Sequence, residues 1–175
     1  EVDFNTIEAA AFANPTPIPV NVSKAVDNLS YPNTGNIGDI GTAYAEIPTG
    51  FSAAVSGVKY ILSANDSDLA RVLEIDNLDA PTRVTFRDAA GNTTRSATGS
   101  SAYGAIAKIA ASWGGSVAQV AWNGALGTAG TYGGSLSING LWIGNSNGSS
   151  ALFGTIRGVR VFGVPRPTQV LTDMT

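Results

Sequence analysis

Twenty-one glycines and eight prolines punctuate this chain of 175 residues, and their spacing limits what it can become. Long amphipathic helices do not fit between the breaks, whereas short β-branched or alternating segments recur along the whole length. The spacing predicts strands near Tyr44–Ile47, Val58–Ser63, Arg71–Ile75, Arg83–Arg87, Ile106–Trp113, Val117–Trp122, Ser135–Ile138, Leu141–Ile143 and Thr155–Phe162. Asn123-Gly124 and Asn139-Gly140 mark tight hairpins, because both central residues of a type I′ turn need positive φ. Trp113-Gly114-Gly115 marks a third reversal, and TTRSATGSSAY reads as a loop in which TTRSA could equally be an edge strand. Short strands with dense turns make a sandwich or a barrel.

Helix is left only at the ends. TIEAAAF is too short to be stable alone and runs into NPTPIPV, where alternating prolines favour an extended path, so residues 1–19 read as a connector and residues 20–175 as the folded domain. PTQVLTDM can make one closing turn that starts at Pro167 or Thr168. In VAWNG, Val120 and Trp122 share one face, which directs Trp122 to the core. GTIRGVRVF gives no clean face, which predicts a bulge in that strand.

Composition narrows the function classes. Hydrophobic residues make up 43% of the chain, enough for one buried core, while charged residues are only 13% and the net charge is -3. Such a balance excludes a general phosphate-binding surface, so nucleic acid is not an expected partner. Cysteine and histidine are both absent. That removes thiolate zinc sites, cysteine nucleophiles, Ser-His-Asp triads and histidine metal sites, and leaves carboxylate chemistry. No apolar run reaches the roughly 18 residues of a membrane span, and EVDFNTIEAAAF carries acids where a secretory leader carries bases.

Three stretches together resemble the concanavalin A-like (laminin G-like) jelly-roll domains of bacteriophage tail and fibre proteins. They are SKAVDNLSYPNTGNIGDIGTAYAEI, AIAKIAASWGGSVAQVAWNG and LWIGNSNGSSALFGTIRGVRVFGVPRPTQVLTDMT, the last with the most specific pattern. The resemblance runs from about Val20 to Thr175 and is weakest between Asn65 and Ala102. It implies an all-β fold of two antiparallel sheets packed face to face, with ligands held on a concave face or at its rim. It does not fix the function, since the fold serves lectins, glycosidases, lyases and structural modules.

Three kinds of site can be weighed on that frame. Laminarinase-type glycosidases of similar fold carry Glu-x-Asp-x-x-Glu on one strand, and LEIDNLD offers Glu74, Asp76 and Asp79 in those places. Retaining hydrolysis needs its two outer carboxyls about 5 to 5.5 Å apart. Asp79 is one methylene short, and DNLDAP is turn chemistry, so the strand is expected to stop near Asp76 and the acids to form a polar hairpin end. For glycan binding the candidates are Trp142, with Leu141 and Ile143 on the opposite face, and Tyr31, Tyr103 and Tyr132 in Gly- or Ser-rich loops. Each could instead fill the core. For calcium, which such folds often hold at the rim, Asn65, Asp66 and Asp68 in SANDSDLA are the densest oxygen donors, although a solvated loop explains them more simply.

The expectation is therefore a non-enzymatic module on a phage virion surface, in a tail or head fibre, that contributes to attachment to host-surface polysaccharide. It would contact other virion proteins and form a homo-oligomer, with no membrane partner. A decoration module that touches no sugar is the alternative, and a glycan-cleaving enzyme using Glu74 and Asp79 comes third.

Overall fold

The computed structural model of the chain describes residues 29–31, 38–47, 59–63, 71–76, 83–88, 90–95, 105–133, 141–144 and 156–175. They form the expected antiparallel jelly-roll sandwich. The first sheet contains β1 (Leu29–Tyr31), β3 (Lys59–Ser63), β4 (Arg71–Asp76), β5 (Arg83–Arg87), β6 (Thr93–Arg95) and β11 (Leu141–Ile143), in the order β1-β11-β3-β4-β5-β6. The second contains β2 (Gly41–Ile47), β7 (Ala107–Gly114), β8 (Val117–Trp122), β10 (Gly130–Thr131) and β12 (Arg157–Phe162), in the order β10-β8-β7-β2-β12, with β9 (Ala125–Leu126) also paired to β8. The connector, the Asn139-Gly140 turn and the strand expected at Ser135–Ile138 lie outside the described residues.

Alternation builds the core between the sheets. Ala107, Ile109, Ala111 and Trp113 of β7, and Ala43, Ala45 and Ile47 of β2, face Ile61, Leu62, Val84 and Phe86 of the first sheet. The alanines leave room for large rings. Phe86 stacks on Trp113 with centroids 5.4 Å apart and planes 18° apart, and tilts against Tyr132 at 6.1 Å. Trp113 Nε1 donates to the Gly38 carbonyl at 3.0 Å, so its one polar atom is satisfied. Val120 and Trp122 join this core as expected.

Turn chemistry sets the register. Asn123 and Gly124 take φ of 48° and 80°, which matches the type I′ geometry, and they close β8 onto β9. The reversal expected at Trp113-Gly114-Gly115 falls one residue later, on Gly115 and Ser116 with φ of 57° and 71°, because Gly114 still pairs with Val117. The expected bulge in β12 is present between Arg157 and Arg160, where Gly158 has φ of 65°.

The outer face of the second sheet is closed by the C-terminus. Thr42 Oγ1 donates to the Val164 carbonyl at 2.9 Å, while the Arg166 amide donates to Thr42 Oγ1 at 2.9 Å and to Ser112 Oγ at 3.0 Å. These bonds lay residues 163–167 across β2 and β7. The chain then forms α1 (Thr168–Met174), which follows Pro167 and buries Leu171 against Tyr44, Ala110 and Ala121. Thr175 Oγ1 accepts a bond from the Gly124 amide at 3.0 Å, tying the last residue to the β8–β9 turn.

Gly41 has no room for a side chain: a Cβ there would lie 2.5 Å from Trp113 Cζ2 and 3.0 Å from the Phe162 carbonyl. Gly41→Ala is expected to destabilise by about 1–3 kcal/mol through overpacking, read as a lower urea midpoint, whereas Gly38→Ala, which meets nothing within 4 Å, leaves it unchanged.

Candidate functional site

A sandwich offers two outer faces, and α1 with its leading segment covers much of one. The other belongs to the first sheet, and register defines who occupies it. Val84 and Phe86 face the core, so Thr85 and Arg87 lie on the outer face. Directly opposed residues share a face, which places Glu74 and Arg95 with Thr85, Asp76 with Arg83, and Thr93 with Arg87. Tyr60 pairs with Glu74, and Trp142 pairs with Ser63 and Ser30, so these also belong to it. Glu74 therefore stands on the face away from the core, between Tyr60 and Thr85.

Exposure divides this face. Tyr60 and Trp142 are only 2% and 8% exposed, so neither ring offers a free surface for stacking. At the β5–β6 side Thr93 is exposed and Arg87 half-buried. Two polar atoms there have no hydrogen-bond partner among the described residues: Thr85 Oγ1, on a residue with no exposure, and Arg87 Nε.

The corner beside them is held by Asp88, which is fully buried just past β5. Its Oδ1 accepts the Asn92 amide at 2.8 Å, and its Oδ2 accepts Asn92 Nδ2 at 2.8 Å and the Gly133 amide at 2.5 Å. Three N–H donors compensate the buried carboxylate and join the β5–β6 turn to the segment after β10. A carboxylate used in this way is an anchor. Nothing in the run RVTFRD identifies it, since its partners lie in the following turn and 45 residues away.

The sites expected from the sequence fare differently. Trp142 does take the face opposite Ile143, which packs on the core, but burial removes its ring from solvent. Tyr132, expected in a binding loop, is 3% exposed and packs in the core beside Phe86, which needs an aromatic neighbour there. Tyr31, also expected in a loop, ends β1 opposite Leu141; register puts it on the inward face shared with Ile143. Strand β4 spans Arg71–Asp76, so Glu74 and Asp76 share one face. Tyr103, Asp79, Asn65, Asp66 and Asp68 lie outside the described residues. Among the described residues no group of three or more acidic side chains could hold a metal.

Tyr132 carries the one resolved shift in acidity. Burial, and after it the charges of Asp39 and Asp88, push its phenol up from 10.0 to about 12. Its hydroxyl has no hydrogen-bond partner among the described residues. Below pH 10 the phenol is protonated in folded and unfolded chains alike, and its contribution to stability is fully present. Between pH 10 and about 12 the unfolded chain releases this proton while the folded chain keeps it, so the contribution is lost as pH rises. Tyr132→Phe should therefore flatten the alkaline fall in urea midpoint and remove the last-titrating phenolate absorbance. At neutral pH it should be neutral or stabilising, because an unpaired buried hydroxyl costs about 1–3 kcal/mol.

No known family model matches the chain, and no curated protein matches it in sequence. Solved structures do match in shape. Domain 4 of an extracellular arabinanase from Geobacillus stearothermophilus, in complex with arabinotriose, is 15% identical with a TM-score of 0.60, over 84% of this chain and 71% of that one. The CBM40 domain of the Ruminococcus gnavus IT-sialidase, bound to α2,3-sialyllactose, is 12% identical with a TM-score of 0.55, over 83% and 91%. A heptameric SAP-like pentraxin from Limulus polyphemus is 15% identical with a TM-score of 0.60, over 77% and 69%. These likenesses place the chain among concanavalin A-like sandwiches.

Proposed function

We propose that this domain is a non-enzymatic glycan-binding module that uses the outer face of its first sheet, and that it serves on a phage virion, in a tail or head fibre, to attach the particle to host-surface polysaccharide. The observation that carries the reading is the difference between the two outer faces. The second sheet's is packed under α1 on Tyr44, Ala110 and Ala121, while the first sheet's bears polar and charged residues, two with unpartnered polar atoms. A binding face needs a few placed polar groups on a rigid sheet, and here the sheet is fixed from below by the aromatic core. The arabinotriose and sialyllactose complexes of the similar domains support sugar as the ligand class. The virion setting rests on the three sequence stretches that resemble phage fibre domains.

The decoration reading has one observation in its favour. Ile40, Val117 and Val164 are exposed, and they gather at one end of the sandwich. Val117 pairs with Gly114, and a Cβ on Gly114 would meet Ile40 Cγ2 at 3.0 Å and Pro165 Cγ at 3.5 Å. An apolar end of this kind suits a contact with a neighbouring virion protein.

Glycan-array and host-cell binding of the whole chain tests the proposal. Retention by envelope polysaccharide is expected; no binding at high ligand concentration, with the Ile40–Val164 end still engaging another virion protein, would leave the decoration reading in its place. Glu74→Gln is expected to change no glycanase activity, and loss of a measured activity in that variant would restore the enzyme.

A further inference from the structure

Register concentrates arginine on three adjacent strands. Arg71 of β4 stands directly opposite Arg87 of β5, Arg83 opposite Asp76, and Thr85 opposite both Glu74 and Arg95. All four arginines thus share the outer face with Thr85. The chain has seven arginines in total and a net charge of -3, so this corner is basic against the trend of the whole protein. Of its two acids, Asp76 opposes Arg83, which leaves Arg71, Arg87 and Arg95 with Glu74 alone. Asp88, next in the chain, is already committed to three N–H donors.

Two features of this corner are unfavourable without a ligand. Like charges directly opposed on a sheet repel, and Arg71 opposes Arg87. Arg87 Nε is buried without a partner among the described residues, as is Thr85 Oγ1 on the same strand and face. An unmade hydrogen bond at a charged, buried donor costs more than at a neutral one. A planar anion with two oxygens relieves both, since guanidinium forks pair bidentately with carboxylates and a hydroxyl can donate to the same group. Arg87 is half-buried and Thr93, directly opposite it, is exposed, so the corner can be reached from solvent.

We infer that the β4–β6 corner, where Arg71 opposes Arg87 and Arg95 opposes Thr85, recognises the carboxylate of an acidic glycan such as a uronic-acid polymer. This rests on the glycan-binding reading and names the ligand class for it. The chain's overall negative charge would repel acidic polymers elsewhere on its surface, which confines them to this corner.

Binding of the full chain to immobilised polygalacturonate, dextran sulfate and a panel of neutral polysaccharides that includes dextran tests the inference. Polygalacturonate is expected to bind best, with affinity that falls as salt rises. Arg87→Gln should weaken it about ten-fold or more, and Arg87→Lys should restore only part, because the charge returns without the fork. Thr93→Glu, at an exposed position, should weaken it without lowering the melting temperature, so a folding defect cannot account for the loss. Wild-type binding by both Arg87→Gln and Thr93→Glu would overturn the inference. Stronger binding to dextran sulfate would overturn the carboxylate assignment in favour of a sulfated ligand. Neutral glycans bound with no preference for acidic ones would overturn it while the glycan-binding reading stood, and binding to no glycan would overturn both.

Discussion

Phe86 is where the two sheets of this sandwich lock together. Its ring lies on Trp113 and leans on Tyr132, and the strands around Trp113 are lined with alanine so that those rings can fit. Gly41 completes the arrangement by leaving the indole its space. The same contact decides what the protein presents outside. A strand alternates, so once Phe86 is held inward, Thr85 and Arg87 are held outward with equal firmness. The core is thus the fixture of the candidate site as well as of the fold.

The two outer faces have been treated in opposite ways. On the second sheet the hydroxyls of Thr42 and Ser112 hold the segment leading to α1, and Leu171 fills the apolar gap between Tyr44, Ala110 and Ala121. On the first sheet polar and charged residues remain, and the β5–β6 turn is tied through Asp88 to Gly133 in the segment after β10. That bond crosses between the sheets at the corner where the arginines gather. It makes the corner stiff, which favours binding because less ordering is required of the protein.

Features set by local chemistry could be read from the residues. Arg83–Arg87 and Val117–Trp122 alternate cleanly between breakers, Asn123-Gly124 admits one kind of turn, and the lack of a clean face around Gly158 announced a bulge. TTRSA proved to hold the edge strand β6. Features set by distant partners could not be read. Strands β1, β9 and β10 are two or three residues long and exist because a neighbour far along the chain pairs with them. The parity of Trp142 was legible while its burial was not, because burial depends on what lies above the face. Tyr132 looked like a loop residue for the same reason: only the position of Phe86 explains why it turns inward.

The arginine corner was hidden by the bulges that create it. Arg71 and Glu74 are three residues apart, an odd number, so a regular strand would put them on opposite faces and assign Arg71 to the core side. The partner positions Arg87 and Thr85 are only two apart, so β4 carries one extra residue between its pairs, and that residue brings Arg71 round to the face of Glu74 and Thr85. A matching irregularity in β3 keeps Tyr60 outside while Ile61 and Leu62 both enter the core. Two one-residue bulges on adjacent strands therefore move a cation outward and two aliphatic side chains inward. A sheet selected for stability alone gains nothing by opposing Arg71 to Arg87, whereas a sheet selected to hold an anion gains its second fork from that placement.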